Sequence, residues 1–372
     1  MYLIMIIYVT KDRERAEGMP ENKGYSIVSG TGEDTLEILK NSSIERGARI
    51  LVFKNTIQTE EVAKEKGWKL LNPSAGLAEK IENKITQVAW LGELASLLPP
   101  HSIAKTKDIT FKNIPLVLQW AHSHTGDGTF LITKEGELKD IQIKFPDREA
   151  RVTEYIQGPM FTANIVVAKD RILIGNMSYQ ITGLPPFTDN PFSTIGNDWS
   201  LPHSILTEAQ LARFAEIANL IGKKMQDDGW KGLFGIDVIY DEHRDKLFLI
   251  EINARQPAST TYESQLQTKA RGKGVPGITT FEAHLAALTD TPNTAPLVEI
   301  NDGAQIIQRM TKKIKTIDGQ GLENVGYKII SYKNTKLNSD LLRIQSERGI
   351  METHGKFNKR GKEIEENCGA EK

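Results

Sequence analysis

Cysteine is almost absent from this chain. Its 372 residues include one cysteine, Cys368, close to the C-terminus. An intrachain disulfide, a four-cysteine zinc site and a CxxC redox centre are therefore excluded. The position of the cysteine in the tail also argues against covalent thiol catalysis. A metal bound by this protein must be held by oxygen or histidine ligands.

An excess of charge of one sign is missing too. Lysine and arginine number 47 and aspartate and glutamate 48, which gives a formal net charge of −1. A nucleic-acid-binding domain or a polybasic membrane-surface protein would usually be clearly basic, so we expect neither nucleic acid nor membrane as a partner. A composition of 39% hydrophobic and 26% charged residues is ordinary for a globular enzyme. The length suggests two or three domains.

Long hydrophobic runs are lacking as well. The apolar segment Met1–Tyr8 is much shorter than the roughly 20 residues that span a bilayer. No basic residue precedes it and no small-residue cleavage site follows it, so it does not have the form of a signal peptide. We expect a buried first strand here and a cytoplasmic protein.

The first hundred residues alternate between strand and helix patterns. Short apolar runs predict strands, and the amphipathic segments Glu33–Leu39 and Glu60–Lys66 predict helices. This alternation is typical of βαβ units in a parallel sheet. A longer helix is predicted from Gly76 to Leu98. The predicted strands are Tyr2–Val9, Tyr25–Val28, Ile50–Phe53 and Trp68–Leu71.

The pattern changes after residue 100, where strands dominate. The segment from Gln180 to His203 is rich in Pro, Gly, Asn, Thr and Ser and is predicted to be a long loop. The clearest helix is Thr207–Asp228, which Thr207 and Gln210 begin as a capping box. The predicted strands are Leu116–Gln119, Thr129–Ile132, Arg151–Tyr155, Phe161–Ala168 and Arg171–Tyr179.

Two apolar segments, Phe234–Tyr240 and Leu247–Arg255, flank a polar, turn-like run and predict a β-hairpin. A turn centred on Arg244 places all even-numbered positions on one apolar face, which we expect to be buried. The predicted pairs on this face are Val238 with Ile250, Ile236 with Ile252 and Tyr240 with Phe248. The same register places Asp237 directly opposite Glu251 on the other face, with Asn253 two residues further on.

The facing carboxylates of this hairpin indicate a cation site. Like charges directly opposite each other on a sheet are destabilising, since their Cβ atoms lie about 5 Å apart. Two carboxylates and an amide oxygen suit Mg²⁺ or Mn²⁺, and Arg255 at the strand end is suited to grip a phosphate or carboxylate. The alternative is a solvated hairpin face with scattered charges.

A glycine-containing loop lies between two of the predicted strands. Gly126 and Gly128 would allow backbone N–H groups to close on a phosphate, although such a pair of glycines is more often a simple turn. His122 and His124 are either metal ligands or hydrogen-bond donors. The strand that ends at Gly158-Pro159, taken alone, is an ordinary edge strand.

Taken in chain order, these motifs resemble the ATP-grasp superfamily of ligases over about residues 72–260. The resemblance implies an α/β and α+β protein. Residues 1–100 would form a Rossmann-like domain that precedes a two-subdomain ATP-grasp fold. Residues 101–205 would carry the glycine loop and adenine hinge, 206–290 the metal hairpin, and 291–372 a small C-terminal subdomain and charged tail. The matching pieces are Asn83-Lys84 at the start of a helix, Gln119–Thr129, Glu154–Ile156, Gly235–Val238 and Ile250–Arg255.

Members of this superfamily activate a carboxylate as an acyl phosphate, which an amine, thiol or other nucleophile then attacks. The resemblance therefore implies an ATP- and Mg²⁺-dependent ligase that most simply forms a carbon–nitrogen bond from two small-molecule substrates. Because many such ligases dimerise, it also implies a homodimer. The implied roles are metal binding by Asp237, Glu251 and Asn253, phosphate contacts by Lys84, Arg255, Gln119, Gly126 and Gly128, and adenine and ribose contacts by Glu154, Tyr155 and Ile156.

One position departs from the superfamily pattern. A lysine usually lies on the strand that enters the glycine loop, and this sequence has Gln119 there. We expect Lys144 or His124 to supply the missing charge. Two alternatives to the ligase follow: a weakened ATP-binding sensor or scaffold, and a carboxylase-like enzyme that uses bicarbonate.

The acceptor substrate would be bound by segments close to the metal hairpin. We expect Tyr179–Gly183 and Ser193–Trp199 to form a loop that reaches over the nucleotide. A second set of polar residues follows Arg255 directly and would lie beside the metal. These residues are Gln256, Ser259, Thr260 and Thr261.

Overall fold

The computed structural model describes residues 5–22, 24–30, 32–124, 127–314, 317, 319–334 and 336–369. The strands are β1 (Ile6–Thr10), β2 (Tyr25–Ser29), β3 (Arg49–Val52), β4 (Lys69–Leu70), β5 (His101–Lys105), β6 (Leu116–His124), β7 (Asp127–Ile132), β8 (Glu149–Glu154), β9 (Met160–Val167), β10 (Ile172–Ile174), β11 (Ser178–Thr182), β12 (Thr194–Asp198), β13 (Gly232–Asp241), β14 (Lys246–Asn253), β15 (Ala304–Arg309), β16 (Lys328–Ser331), β17 (Asp340–Ser346), β18 (Met351–Thr353) and β19 (Lys356–Phe357).

Helices connect and cover these strands. None of the helices in the described part of the chain is long and apolar enough to cross a membrane. The α-helices are α1 (Thr35–Asn41), α2 (Ile57–Lys66), α3 (Ala75–Glu82), α4 (Thr86–Leu91), α5 (Glu135–Lys144), α6 (Pro202–Ile205), α7 (Glu208–Asp227), α8 (Thr260–Gly272), α9 (Thr280–Leu288), α10 (Gln320–Asn324) and α11 (Lys359–Gly369), and short 3-10 helices occupy Arg13–Ala16, Gly92–Leu97 and Thr106–Asp108.

The N-terminal sheet has the predicted parallel βαβ organisation. Its strand order is β2-β1-β3-β4, and every pairing is parallel. Val9, Ile50 and Val52 pack from the strands against Leu39 of α1 and Val62 of α2. The alternation of apolar strands and amphipathic helices therefore predicted this region correctly.

The long helix predicted from Gly76 to Leu98 is wrong. Helix α3 ends at Glu82. The side chain of the next residue, Asn83, accepts hydrogen bonds from the backbone N–H groups of Ile85 (3.0 Å) and Thr86 (3.3 Å), directly before α4. Asparagine competes for backbone donors in this way and interrupts helices. Lys84 therefore lies at a break between two helices, where its backbone N–H donates to Ala121 of β6 (2.8 Å).

Residues 101–154 form a small antiparallel sheet in the order β5-β8-β6-β7. Leu118 and Trp120 of β6 pack with Leu138 of α5 in its own hydrophobic core. In this sheet Gln119 of β6 lies directly opposite Arg151 of β8. That pairing brings together two residues that α5 separates in the sequence.

The central sheet has the order β14-β13-β9-β11-β12-β15-β17-β16, with β10 beside β9. The long loop predicted from Gln180 to His203 is wrong, because β12 lies within it and pairs with both β11 and β15. The predicted strand Arg171–Tyr179 divides into β10 and β11. The boundaries predicted at residues 205 and 290 both fall within the span of this sheet, so we propose one central unit over residues 160–346.

Helix α7 confirms the helix predicted over Thr207–Asp228. The Thr207 side chain accepts from the backbone N–H of Gln210, and the Gln210 side chain accepts from the N–H of Thr207. Gly229 has a φ of +84° just after the helix, the left-handed conformation that a terminating glycine favours. Phe214, Ile217 and Ile221 of the helix are fully buried in the main core.

Candidate active site

The hairpin formed by β13 and β14 keeps the predicted register at its open end. Asp237 lies directly opposite Glu251, and Ile236 lies opposite Ile252. Both isoleucines are buried in the main core, so the two carboxylates lie on the opposite face. The sequence therefore predicted the facing carboxylates correctly.

The register shifts between Asp237 and Val238, so the predicted pairs nearer the turn are wrong. Val238 lies opposite Leu249 instead of Ile250, and Tyr240 lies opposite Leu247 instead of Phe248. A β-bulge inserts one unpaired residue and moves the following side chains to the other face. As a result, Phe248 and Ile250 join the carboxylate face as an apolar surface beyond the acidic pair.

The two carboxylates have different electrostatic environments. Burial, together with the charge of Glu251, raises the pKa of Asp237 to about 6. Burial also opposes ionisation of Glu251, but Lys84, Arg255 and Arg151 outweigh it and lower the pKa of this carboxyl. The pair is thus an acidic site in which one carboxyl is poised to gain or lose its proton near neutral pH.

Lys84 provides the direct counter-charge to this pair. Its Nζ lies 2.5 Å from Oε1 of Glu251, and the residue is 1% exposed. Burial lowers the pKa of Lys84, and the neighbouring Glu251 partly offsets that effect. The helix break at Asn83 brings Lys84 to this position, because a continuous helix would not turn its backbone toward β6.

Arg255 and Asn253 extend the site beyond the strand end. Nη2 of Arg255 donates to Oδ1 of Asn253 (2.8 Å), and Nε of Arg255 lies 3.3 Å from Glu82. Nδ2 of Asn253 donates to Oδ2 of Asp237 (3.3 Å). Neutral Asn253 and charged Glu82 therefore hold Arg255 beside the acidic pair.

The charge next to Gln119 comes from Arg151, which sequence reasoning missed. Nε and Nη2 of Arg151 both donate to Oε1 of Gln119, at 3.2 and 2.7 Å. Nη1 donates to Gln87 (2.9 Å) and Nη2 also donates to the carbonyl of Ile250 (3.0 Å). Burial lowers the pKa of Arg151 to about 10, with a partial offset from Glu251. No sequence pattern marks Arg151, because β8 also contains Glu149, Thr153 and Glu154.

Arg151 also fixes the direction of the Gln119 amide. A guanidinium group only donates hydrogen bonds, so the carbonyl oxygen of Gln119 must face it. Among the described residues, no hydrogen bond uses the Nε2 of Gln119, which is directed away from Arg151. Lys144, which we expected to compensate for Gln119, is exposed at the end of α5, and the side chain of His124 lies outside the described part of the structure.

The predicted hinge residues lie where the small sheet meets the hairpin. Oε1 of Glu154 accepts from Nη2 of Arg244 in the hairpin turn (2.5 Å). Ile156 packs with Ile239 and Phe248 in a small apolar cluster, while the backbone N–H of Tyr155 donates to Pro115 (3.2 Å). Ile156 and the bulge-shifted Phe248 thus form one apolar wall next to the acidic pair.

The glycine loop is described only in part. Gly128 has a φ of +89°, which favours glycine. Gly126 lies outside the described residues, as does the side chain of His122.

The segments expected to bind the acceptor are built into the fold. Tyr179–Gly183 and Ser193–Trp199 form strands of the central sheet instead of a loop over the nucleotide, so that prediction is wrong. Gln256 and Thr261 both donate to the backbone carbonyl of Arg15, at 2.7 and 3.0 Å. The latter contacts place a residue of the N-terminal domain beside the loop that follows Arg255.

The acidic pair fits an oxygen-coordinated divalent cation. Burial, and then the facing carboxylate of Glu251, raise the pKa of Asp237, and a bound cation would offset both effects. Oε1 of Glu251 faces Lys84, and no hydrogen bond or ion pair between described residues uses Oε2 of this carboxylate. Oδ1 of Asn253 faces Arg255, so coordination by this oxygen requires the amide to reorient.

Comparison with known proteins identifies the fold that carries this site. No protein-family model matches the sequence, and no curated protein is similar to it in sequence. Solved structures nevertheless match almost the whole chain, and they show that it has the ATP-grasp fold.

Three of these structures illustrate the likeness. N5-carboxyaminoimidazole synthetase from Staphylococcus aureus, complexed with ADP, superimposes with a TM-score of 0.68 at 12% identity, over 98% of this chain and 96% of that one. The enzyme from Aspergillus clavatus, in complex with ADP and 5-aminoimidazole ribonucleotide, gives 0.65 at 16% identity, over 94% and 95%. L-amino acid ligase from Bacillus licheniformis gives 0.65 at 12% identity, over 98% and 96%.

Proposed function

We propose that this protein is an ATP- and Mg²⁺-dependent ligase that joins a small carboxylate to an amine or another nucleophile. The observation that carries the proposal is the pair formed by buried Asp237 and half-buried Glu251, face to face in an ATP-grasp fold with Lys84 and Arg255 beside it. Solved proteins of this fold bind ATP or ADP, which supports the nucleotide.

The residues take roles that match their positions. Asp237 and Glu251, with Asn253 after reorientation, hold Mg²⁺ or Mn²⁺, which neutralises charge on the ATP phosphates. Lys84 and Arg255 contact the phosphates, and Arg255 also steadies the transferred group. The Nε2 of Gln119 donates to a phosphate oxygen, together with backbone N–H groups at Gly126 and Gly128. Glu154, Tyr155 and Ile156 bind adenine and ribose, with Ile156 as the apolar wall.

The proposed chemistry has two steps. A carboxylate oxygen of the substrate attacks the γ-phosphorus of ATP, so that an acyl phosphate forms and ADP leaves. The amine then attacks the acyl carbon, phosphate leaves, and the amine loses a proton. The cations Lys84 and Arg255 lower the barrier of the first step because they already face the place where charge is redistributed.

A screen of carboxylate and amine pairs for ADP and phosphate release tests this proposal. We expect Mg²⁺-dependent release that needs both substrates and disappears in Glu251→Gln. Mg²⁺-ATP binding without turnover for any pair would favour the weakened sensor or scaffold, for which Gln119 is the motivation. Release that needs bicarbonate would favour the carboxylase-like alternative.

A further inference from the structure

A row of polar side chains crosses one face of the central sheet, beginning at the acidic pair. Successive members lie opposite each other on neighbouring antiparallel strands, or are hydrogen-bonded as Asn197 is to Ser178 (3.1 Å). Directly opposed residues share a face of the sheet, and the other face packs in the main hydrophobic core. The buried members of the row are Asp237, Thr162, Ser178, Asn197, Gln305 and Gln345.

Arg343 lies at the far end of this row. It is 2% exposed, and its Nε donates to the Tyr332 hydroxyl (2.9 Å) while its Nη1 donates to Gln305 (3.1 Å). Its Nη2 is buried without a hydrogen-bond partner, and no ion pair between described residues includes it. A guanidinium group buried among neutral acceptors is costly, so a bound anion would stabilise it.

Arg15 brings a second guanidinium group to the same place. Its backbone carbonyl is held by Gln256 and Thr261, which follow Arg255 in the chain. Its Nη1 is also buried without a partner. Both Arg15 and Arg255 lie over the ring of Phe53, at 5.0 and 5.9 Å from its centroid. The end of the row is therefore adjacent to the proposed phosphate contact.

Three acidic residues, Glu14, Asp12 and Asp340, lie near enough to Arg15 to act on its charge. The Tyr332 hydroxyl donates to Oε1 of Glu14 (2.7 Å), and the same oxygen lies 3.6 Å from Nε of Arg15. Glu14 is the acidic residue in direct contact with this group, while Asp340 also lies 3.9 Å from Arg309. The feature that sets the two arginines apart is therefore the pair of guanidinium nitrogens without a hydrogen-bond partner. The side chains of Glu14 and Arg15, 14% and 15% exposed, are where this group meets solvent.

We propose that Arg343 and Arg15 form an anion-binding subsite, which takes a carboxylate or phosphate group of one substrate. This inference rests on the proposed ligase, and it adds that this substrate carries an anionic group besides the carboxylate that is activated. The polar row connects this subsite to the acidic pair. The hydrogen-bond capacity left on Nη2 of Arg343 and Nη1 of Arg15 provides donors for that group.

Calorimetry with two anions tests the subsite without requiring turnover. Succinate and inorganic phosphate are titrated into the full-length protein without nucleotide, and the preferred probe distinguishes a carboxylate from a phosphate subsite. We expect wild type to bind at least one probe, and we expect both Arg343→Gln and Arg15→Gln to bind it at least about tenfold more weakly. Arg343→Lys, which keeps the charge, should retain more affinity than Arg343→Gln.

Arg348→Gln is the matched control. Arg348 is an exposed arginine that lies just after β17, the strand of Arg343, and it forms an ion pair with Asp302. This control should bind the probe as wild type does, and heat denaturation should show that each variant is folded. Wild-type affinity in both Arg343→Gln and Arg15→Gln, or no binding of either probe to wild type at about 10 mM, would overturn the subsite. Mg²⁺-ATP titrations separate the two proposals: arginine-dependent anion binding with no ATP binding would leave the subsite in place and reject the ligase.

Discussion

The two sides of the junction between the small sheet and the hairpin place their charges differently. On the hairpin side, Asp237 and Glu251 face each other within one pair of adjacent strands. On the small-sheet side, Gln119 is neutral and its opposite neighbour Arg151 carries the charge. The acidic side thus has two like charges facing each other. On the basic side, a charged residue, Arg151, faces a neutral amide, Gln119.

We propose that Arg151 supplies, from the neighbouring strand, the positive charge that the ATP-grasp resemblance leads us to expect from a lysine at position 119. On this proposal, a lysine at position 119 would contact the phosphates directly, whereas Arg151 acts through the Gln119 amide that it orients. The guanidinium group also donates to Ile250 of the hairpin, so the same residue links the two sides. We therefore expect changes on the acidic side to affect metal binding and changes on the basic side to affect nucleotide affinity.

The largest expected effect is that of Glu251→Gln. Loss of a residue that supports a metal ligand usually costs about 10–100-fold in metal affinity, so removal of a proposed ligand should cost at least about 100-fold. Calorimetry of Mg²⁺-ATP binding to both proteins measures this loss. The exposed Glu216→Gln on α7 is the control and should behave as wild type. Tight Mg²⁺-ATP binding by Glu251→Gln would show that the metal is held elsewhere.

A second test of the acidic side is the pH dependence of stability without metal. Because the pKa of Asp237 is raised to about 6 in the folded protein, the folded state holds an extra proton between about pH 4 and 6. Its free energy of unfolding should therefore fall as pH rises through that range. Asp237→Asn should remove this loss, which is about 3 kcal/mol over the whole range and about half of that between pH 5 and pH 7.

Urea unfolding in EDTA at pH 5 and pH 7 measures the effect, and the exposed Asp227→Asn is the control. Glu251 does not interfere, because its pKa is lowered and its contribution changes below its ordinary range. Added Mg²⁺ should stabilise wild type more at pH 7 than at pH 5. An unfolding free energy for Asp237→Asn that depends on pH as in wild type would reject the assigned pKa.

How much of this site can be predicted depends on how far apart its residues lie in the sequence. The facing carboxylates belong to one hairpin, so alternation and a turn position are enough to predict their pairing. The bulge was not predictable, because Ile250 and Leu249 are equally apolar and either suits the core. The pairing of Gln119 with Arg151 crosses α5, and the buried position of Lys84 depends on a helix break at Asn83. The fold class followed from motif order, but the central sheet did not, since Thr194–Asp198 has the composition of a loop.

On the basic side, exchanging the side chains of Gln119 and Arg151 tests whether the arginine acts through the amide. Arg151→Gln should weaken ATP binding about tenfold, since loss of a charged hydrogen-bond partner costs roughly 1.5 kcal/mol or more. Gln119→Lys alone should also weaken it, because two cations then face each other. The double variant Gln119→Lys/Arg151→Gln should recover affinity, and a double-mutant cycle measures the coupling. Additive losses would mean that the two residues act independently.

The smallest expected effect concerns the bridge between the two sides. Arg244 in the hairpin turn pairs with Glu154 of the small sheet (2.5 Å), but the arginine is largely in water, where ion pairs contribute little. Arg244→Ala should therefore change ATP affinity no more than a few-fold, and calorimetry measures this against the exposed control Arg213→Ala. Glu154→Gln should have a larger effect, because that carboxylate is proposed to contact the nucleotide. If Arg244→Ala instead abolished ATP binding, the ion pair between Arg244 and Glu154 would be what holds the hairpin and the small sheet at the correct distance. The different roles of the acidic hairpin and the basic strand would then matter less than this ion pair.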